Sequence, residues 1–248
     1  MMNLDLLPEI LAYTQQTQGG GFSMSYLIII GGMMLLSMLV SHTLKRRFQE
    51  YSEIPLSMTG REVAEKMLRD NGITDVQVIS VPGQLTDHYN PMNKTVNLSE
   101  PVYHMANVAA AAVAAHECGH AVQHQKAYHW LQLRSKMVPA VSFASQIQQY
   151  LMFAFIFGLF YTGSVWMLWA MVISLAVIAG FSLVTLPVEF DASNRALAWM
   201  ERSGIAGRIE HDRAKNALFW AAMTYVVGAL TALAQLGYWV MMLLGRRE

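Results

Sequence analysis

The residues His116-Glu117-Cys118-Gly119-His120 place two imidazoles four positions apart with a carboxylate between them. In a helix that spacing stacks both histidines on one face, one turn above the other. Two imidazoles so placed can reach a single zinc ion, and the intervening glutamate then stands beside the open position of the metal. There it can take a proton from a water molecule, which is the chemistry of hydrolytic zinc sites. The preceding run, Ala109–Ala115, is nearly all alanine. Such a helix can pack closely against other elements, and Gly119 permits another backbone to approach beside the histidines.

A hydrolytic zinc needs a third protein ligand. A histidine six residues after His120 would mark one class of such enzymes, but that position is Lys126, and Gln123 stands where that class has glycine. His124 continues the helical face, yet the rise per residue puts it about 12 Å along the axis from His116. Metal bonds of about 2 Å cannot bridge that distance, so His124 and His129 read as interfacial, supporting or surface residues. An intramembrane site would require a strongly apolar helix around the motif and a later Leu-Asp-Gly, and neither is present. The remaining candidate is Glu189, in Leu186-Pro187-Val188-Glu189-Phe190-Asp191-Ala192-Ser193. Asp191 is the alternative, since only one of the two is expected to face the metal.

Elements that would position these residues can be read from the surrounding polar stretches. Thr59-Gly60-Arg61-Glu62 opens a helix with Thr59 as its cap, Val63, Met67 and Leu68 give it an apolar face, and Asn71-Gly72 stops it. Val76–Val81 alternates as a strand does, Pro82-Gly83 turns, Asp87–Pro91 reads as a loop, and Thr95–Leu98 as a second strand. Ser99-Glu100-Pro101 leads toward the motif helix. A small sheet beside a zinc helix offers an edge on which a polypeptide backbone can add as a strand.

Of 248 residues, 54% are hydrophobic and 14% charged, with a mean hydropathy of +0.30. A soluble domain carries about 25% charged residues, so the composition implies a membrane protein. The zero net charge gives no indication of a nucleic-acid partner. Cys118 is the only cysteine, which rules out an intrachain disulfide and a cysteine-rich metal site. The 18 methionines read as apolar packing residues.

Four apolar blocks are long enough to suggest transmembrane helices, at 25–44, 137–161, 165–186 and 217–244. The first reads as a retained anchor and not a cleaved signal peptide. Its basic cluster Lys45-Arg46-Arg47 follows the apolar run, and only Asp5 and Glu9 carry charge before it. The second and third blocks form a hairpin around Thr162-Gly163-Ser164. Thr224, Tyr225, Thr231 and Gln235 suggest that part of the fourth packs against protein. Basic residues at 45–47, Arg134, Lys136, Arg195, Arg202, Arg208, Arg213 and Lys215 put the polar stretches 45–135 and 187–216 on the cytoplasmic side. The N-terminal segment 1–24 and the hairpin turn then face outward. Arg246-Arg247 runs against this pattern unless the last helix stops short of crossing.

Three segments together resemble a known family, the YugP-like neutral zinc metallopeptidases of bacterial membranes. They are Leu85-Thr86-Asp87-His88-Tyr89-Asn90-Pro91, Ala114–Gln123 around the motif, and Pro187–Ser193. The resemblance covers nearly the whole chain. The group is itself similar, distantly, to the HtpX and CAAX-prenyl membrane proteases, whose third ligand is a glutamate followed four residues later by an aspartate. Carried over, the glutamate falls on Glu189, and the aspartate position holds Ser193, a departure. The resemblance implies that a bond from that aspartate to a ligand histidine must come from elsewhere, with Asp191 and Asn194 the candidates.

The expectation is therefore a mainly α membrane protein: about four transmembrane helices and a small α+β, zincin-like catalytic domain. Zn2+ would be held by His116, His120 and Glu189, with Glu117 as general base and His88 or Tyr89 as donors to the oxyanion. The site would hydrolyse peptide bonds of polypeptides, membrane proteins included, at the cytoplasmic face of a bacterial inner membrane. Quality control of membrane proteins is the role that resemblance suggests. The competing classes are a non-catalytic zinc-stabilised scaffold and a metal-transport component. Substrate identity, oligomeric state and any regulatory membrane partner are not written in these residues.

Overall fold

The computed structural model describes residues 23–156 and 165–245. In chain order the elements are helix α1 (Met24–Ser52), helix α2 (Gly60–Asp70), strands β1 (Gln77–Val81), β2 (His88–Asn90) and β3 (Thr95–Ser99), and helices α3 (Glu100–His104), α4 (Val108–Gln125), α5 (His129–Ile156), α6 (Val165–Ser203) and α7 (Arg208–Leu244). The N-terminal segment 1–24, expected to face outward, falls almost wholly outside the described residues. The 162–164 turn and Arg246-Arg247 fall entirely outside them.

Local signals act as the sequence suggests around α2. The Thr59 side chain accepts from the Glu62 backbone N–H, and the Glu62 carboxylate accepts from the Thr59 N–H, a reciprocal cap. Asn71 closes the helix and Gly72 follows with φ of 70°, a conformation glycine adopts without cost. Two boundaries differ from expectation. Residues 88–90 form strand β2 where a loop was predicted, because β2 pairs antiparallel with β3, Tyr89 opposite Val96. The chain from Ser99 does not run straight into the motif helix. It makes the short α3, breaks at Met105–Ala106, and restarts α4 with Asn107, whose side chain accepts from Ala110 N–H.

The sheet has the order β1-β3-β2, with β1 parallel and β2 antiparallel to the central strand. Val96 and Leu98 of β3 are fully buried in the core. Asp87 accepts from both the backbone N–H and the hydroxyl of Ser99, which ties the start of β2 to the end of β3.

By contacts the chain forms two units. The larger comprises residues 38–136 and 183–226. Its core surrounds α4, whose Ala109, Ala110, Ala111, Ala112, Ala114 and Ala115 are all buried against residues such as Val63, Met67 and Leu98. Alanine here lets neighbours approach closely while still removing apolar area from water, at about 25 cal/mol per Å2. The other unit takes residues 23–37, 137–156, 165–182 and 227–245, with a core of Tyr26, Leu168, Met171, Leu175, Tyr238, Trp239 and Leu243.

Three helices among the described residues, α1, α6 and α7, are long and apolar enough to cross a membrane. On α1 the apolar side chains Leu27, Ile28, Met34, Leu35, Met38 and Leu39 are exposed, a surface suited to lipid. The predicted span at 137–161 begins in α5 and ends outside the described residues. The described part carries Ser142, Ser145, Gln146, Gln148 and Gln149, which keep it below the apolar content of the other three. Gln148 donates to Gln235 of α7 at 3.4 Å, so Gln235 does meet protein.

Candidate active site

Helix α4 turns His116, Gly119, His120 and Gln123 to one face, since these residues stand at i, i+3, i+4 and i+7. Helix α6 answers with Glu189, Ala192 and Ser193, at i, i+3 and i+4. The two faces meet backbone to backbone. A Cβ on Gly119 would lie 2.6 Å from the Ala192 carbonyl oxygen, so only glycine allows this approach. The close packing carries Glu189 to the histidines although α6 passes through Pro187 just before it.

Glu189 Oε2 lies 3.3 Å from His116 Nε2 and 3.6 Å from His120 Nε2. Tetrahedral zinc with bonds of about 2.0–2.1 Å spaces its ligand atoms about 3.3 Å apart. Although close to both imidazoles, Oε2 is buried and makes no well-formed hydrogen bond. The two outer imidazole nitrogens are engaged elsewhere. His116 Nδ1 is 3.1 Å from Ser193 Oγ, and His120 Nδ1 is 3.0 Å from Gln123 Oε1. Both Nε2 atoms therefore face Oε2, and the three ligand atoms lie within 4.8 Å of one another. An orphaned carboxylate oxygen among two imidazole nitrogens at this spacing fits a zinc ion.

Electrostatics at His120 set burial against its acidic neighbours. For His120, burial opposes protonation, yet Glu189 and Glu117 outweigh it and push the imidazole pKa above its ordinary value. A divalent cation would meet the same negative field. Cys118 lies behind the motif with its Sγ 3.5 Å from the Ala64 carbonyl. Burial pushes its thiol pKa well up, and Cys118 is not among the residues gathered at the candidate metal site.

Glu117 is buried and its Oε2 accepts from the Tyr89 backbone N–H at 3.0 Å. That N–H belongs to the edge strand β2, so the sheet edge holds the carboxylate beside the histidines. A cavity of about 150 Å3 opens at this point. His116, Glu117, Glu189 and Ser193 line it on one side, Val113, Leu218, Ala221 and Ala222 supply an apolar wall, and Tyr225, Leu85 and Asp87 complete it. Leu85 is exposed and has φ of 58°, a strained conformation for a leucine.

The other residues singled out from sequence lie around this arrangement. Asp191 does not join the histidines; it pairs with Arg195 at 2.5 Å and accepts from Gln123 Nε2 at 2.8 Å. Asn194 is exposed. The contact expected from one of these two comes instead from Ser193 itself, because a residue four after Glu189 faces the same neighbour. His88 is exposed and its Nδ1 meets the Thr86 carbonyl at 2.8 Å. The Tyr89 phenol is 2.8 Å from His124 Nδ1. Neither His88 nor Tyr89 lines the cavity among the described residues.

Three residues escaped the sequence reading. Gln123 had a signal, its i+3 spacing from His120. Tyr225 of α7 read only as a polar residue in an apolar helix. Arg134 of α5, whose Nη1 donates to Glu189 Oε1 at 3.1 Å, read as a topological charge; nothing local links residues so far apart in the chain.

Comparison with known proteins covers most of the chain. The profile of a family described as "Putative neutral zinc metallopeptidase" matches residues 26–244. The chain is 40% identical over 215 residues to "Putative membrane protease YugP" of Bacillus subtilis (strain 168), an alignment covering 86% of this chain and 94% of that protein. No solved structure matches.

Proposed function

The chain belongs to the YugP-like neutral zinc metallopeptidases, and from that premise we propose that it is a membrane-embedded endopeptidase whose site is His116, His120, Glu189 and Glu117. Zinc is the cofactor the family implies, and the observation that carries the ligand assignment is the buried Glu189 Oε2, facing both Nε2 atoms without a well-formed hydrogen bond. Bound there, zinc supplies Lewis acidity toward a water and a peptide carbonyl.

The residues of the chain do the rest. His120 donates from Nδ1 to Gln123 and presents its Nε2 lone pair. His116 is oriented in the same way through Ser193. Glu117, steadied by the Tyr89 N–H, takes the proton of the attacking water and returns it to the leaving amine. Tyr225 lines the cavity, and its phenol is the proposed donor to the oxyanion. The neighbouring apolar wall of Val113, Leu218, Ala221 and Ala222 takes a substrate side chain and sheds water.

The reading extends to setting. The basic residues flanking the apolar segments support four spans, with the 137–161 block as the fourth. They also support a cytoplasmic, zincin-like catalytic unit in a bacterial inner membrane. Polypeptides near that face, loosened membrane proteins among them, are the proposed substrates, and quality control is the proposed role. A purely structural zinc site would have no use for a carboxylate held like Glu117, which favours the enzyme over a scaffold.

The test uses the purified full chain in detergent with an unstructured protein as substrate. Internal fragments found by mass spectrometry are expected, with loss of cleavage on adding a zinc chelator. Glu117→Gln should keep zinc while cleavage falls at least about 100-fold. Undiminished cleavage by that variant would sink the assignment.

A further inference from the structure

The Glu189 carboxylate is divided between two tasks. Oε1 accepts from Arg134 Nη1 at 3.1 Å, while Oε2 faces the two imidazoles. The Glu189 side chain is 2% exposed and that of Arg134 is 30% exposed. A carboxylate buried this deeply is costly unless a partner charge stands against it, and removing one member of such a pair leaves the other uncompensated. This is therefore not an ordinary surface ion pair.

Chain topology gives the pair a second meaning. The chain leaves the catalytic unit after Lys136 and re-enters it at Leu183. Arg134 lies just before the departure and Glu189 just after the return. The ion pair thus joins the two strands of chain that bracket the excursion, at the atom that completes the ligand set.

A carboxylate can meet a metal with one oxygen or with both. An oxygen held by a guanidinium is withheld from the metal, and the carboxylate plane is fixed by the same contact. We propose that Arg134 is a positioning residue, which holds Glu189 by Oε1 so that Oε2 alone is presented to zinc. The inference rests on the zinc site proposed above and adds to it a residue outside the motif and outside the ligand helix.

The experiment compares wild type, R134Q and R134K as purified full-length protein in detergent. Zinc affinity is measured by competition with a chromophoric chelator, and the visible spectrum is recorded after cobalt substitution. R134Q should bind zinc about 10–100-fold more weakly, the usual cost of losing a partner behind a ligand. Its cobalt bands should shift as the carboxylate changes its mode of binding. R134K keeps the charge but not the planar donor. It should lose less affinity than R134Q and show a smaller shift, and it carries the test if R134Q does not fold.

Wild-type affinity and spectrum in either folded variant would overturn the inference while leaving the metalloprotease reading intact. So would normal zinc binding with impaired cleavage, which would make Arg134 a substrate contact. A wild-type protein that binds no zinc would overturn both.

Discussion

Gln123 Oε1 stands 3.0 Å from His120 Nδ1, and the rest of the Gln123 amide leaves no choice of donor. Its Nε2 donates to the Val188 carbonyl and to Asp191 Oδ2, each at 2.8 Å. Oε1 must therefore accept, Nδ1 carries the proton, and a neutral His120 presents its lone pair at Nε2, toward Glu189. One amide sets the tautomer of His120 and ties it to the helix that carries Glu189, the candidate third ligand.

Gln123→Ala should release that tautomer and leave the Nδ1–H unpaired. Zinc affinity is expected to fall about 10–100-fold, read by chelator competition on purified protein. Unchanged affinity would show that His120 is oriented by other means.

Ser193 occupies the corresponding place for His116, with Oγ 3.1 Å from Nδ1. A hydroxyl is a weaker acceptor than a carboxylate. Ser193→Ala should weaken zinc binding about 10-fold, and Ser193→Asp should bind zinc at least as tightly as the native chain. Isothermal titration of zinc into stripped protein would measure both.

Gly119→Ala tests the helix contact directly. The added methyl would sit 2.6 Å from the Ala192 carbonyl oxygen, against backbone that cannot swing aside. Such overpacking costs about 1–3 kcal/mol. Because the same contact carries Glu189 to the histidines, thermal melting should show a lower midpoint, and bound zinc should fall with it. A variant with native stability and full zinc would refute the contact.

Ala221→Leu should fill part of the cavity of about 150 Å3 from its apolar wall, with His116, His120 and Glu189 retained. Cleavage rates on peptides with large residues next to the scissile bond should fall more than those on peptides with alanine there, at constant zinc content. A uniform change across the series would show that the cavity does not hold a substrate side chain.

Sequence by itself determined the spacing of the motif residues, the small-residue character of their helix, and that Gly119 permits a close backbone approach. Each is written locally, through the 3.6-residue turn and the size of side chains. It also placed the cap of α2, the strands β1 and β3, and the apolar segments of α1, α6 and α7. It pointed to Glu189 over Asp191, and the structure brings Glu189 and not Asp191 to the histidines.

Only the tertiary structure decided how those residues are held. Strand β2 exists because β3 offers it a pairing edge. The partner of His116 is Ser193 because α6 presents i and i+4 to the same helix, a face that cannot be chosen from a residue list. The Tyr89 N–H that holds Glu117 is backbone, and residue type alone carries no information about where it points. Arg134 meets Glu189 across an excursion of the chain through another unit, a distance over which local pattern says nothing. The candidate donors His116, His120 and Glu189 are a matter of residue type and spacing, legible in one dimension. Ligand orientation depends on which helix faces meet, and that is fixed only when the core closes around α4.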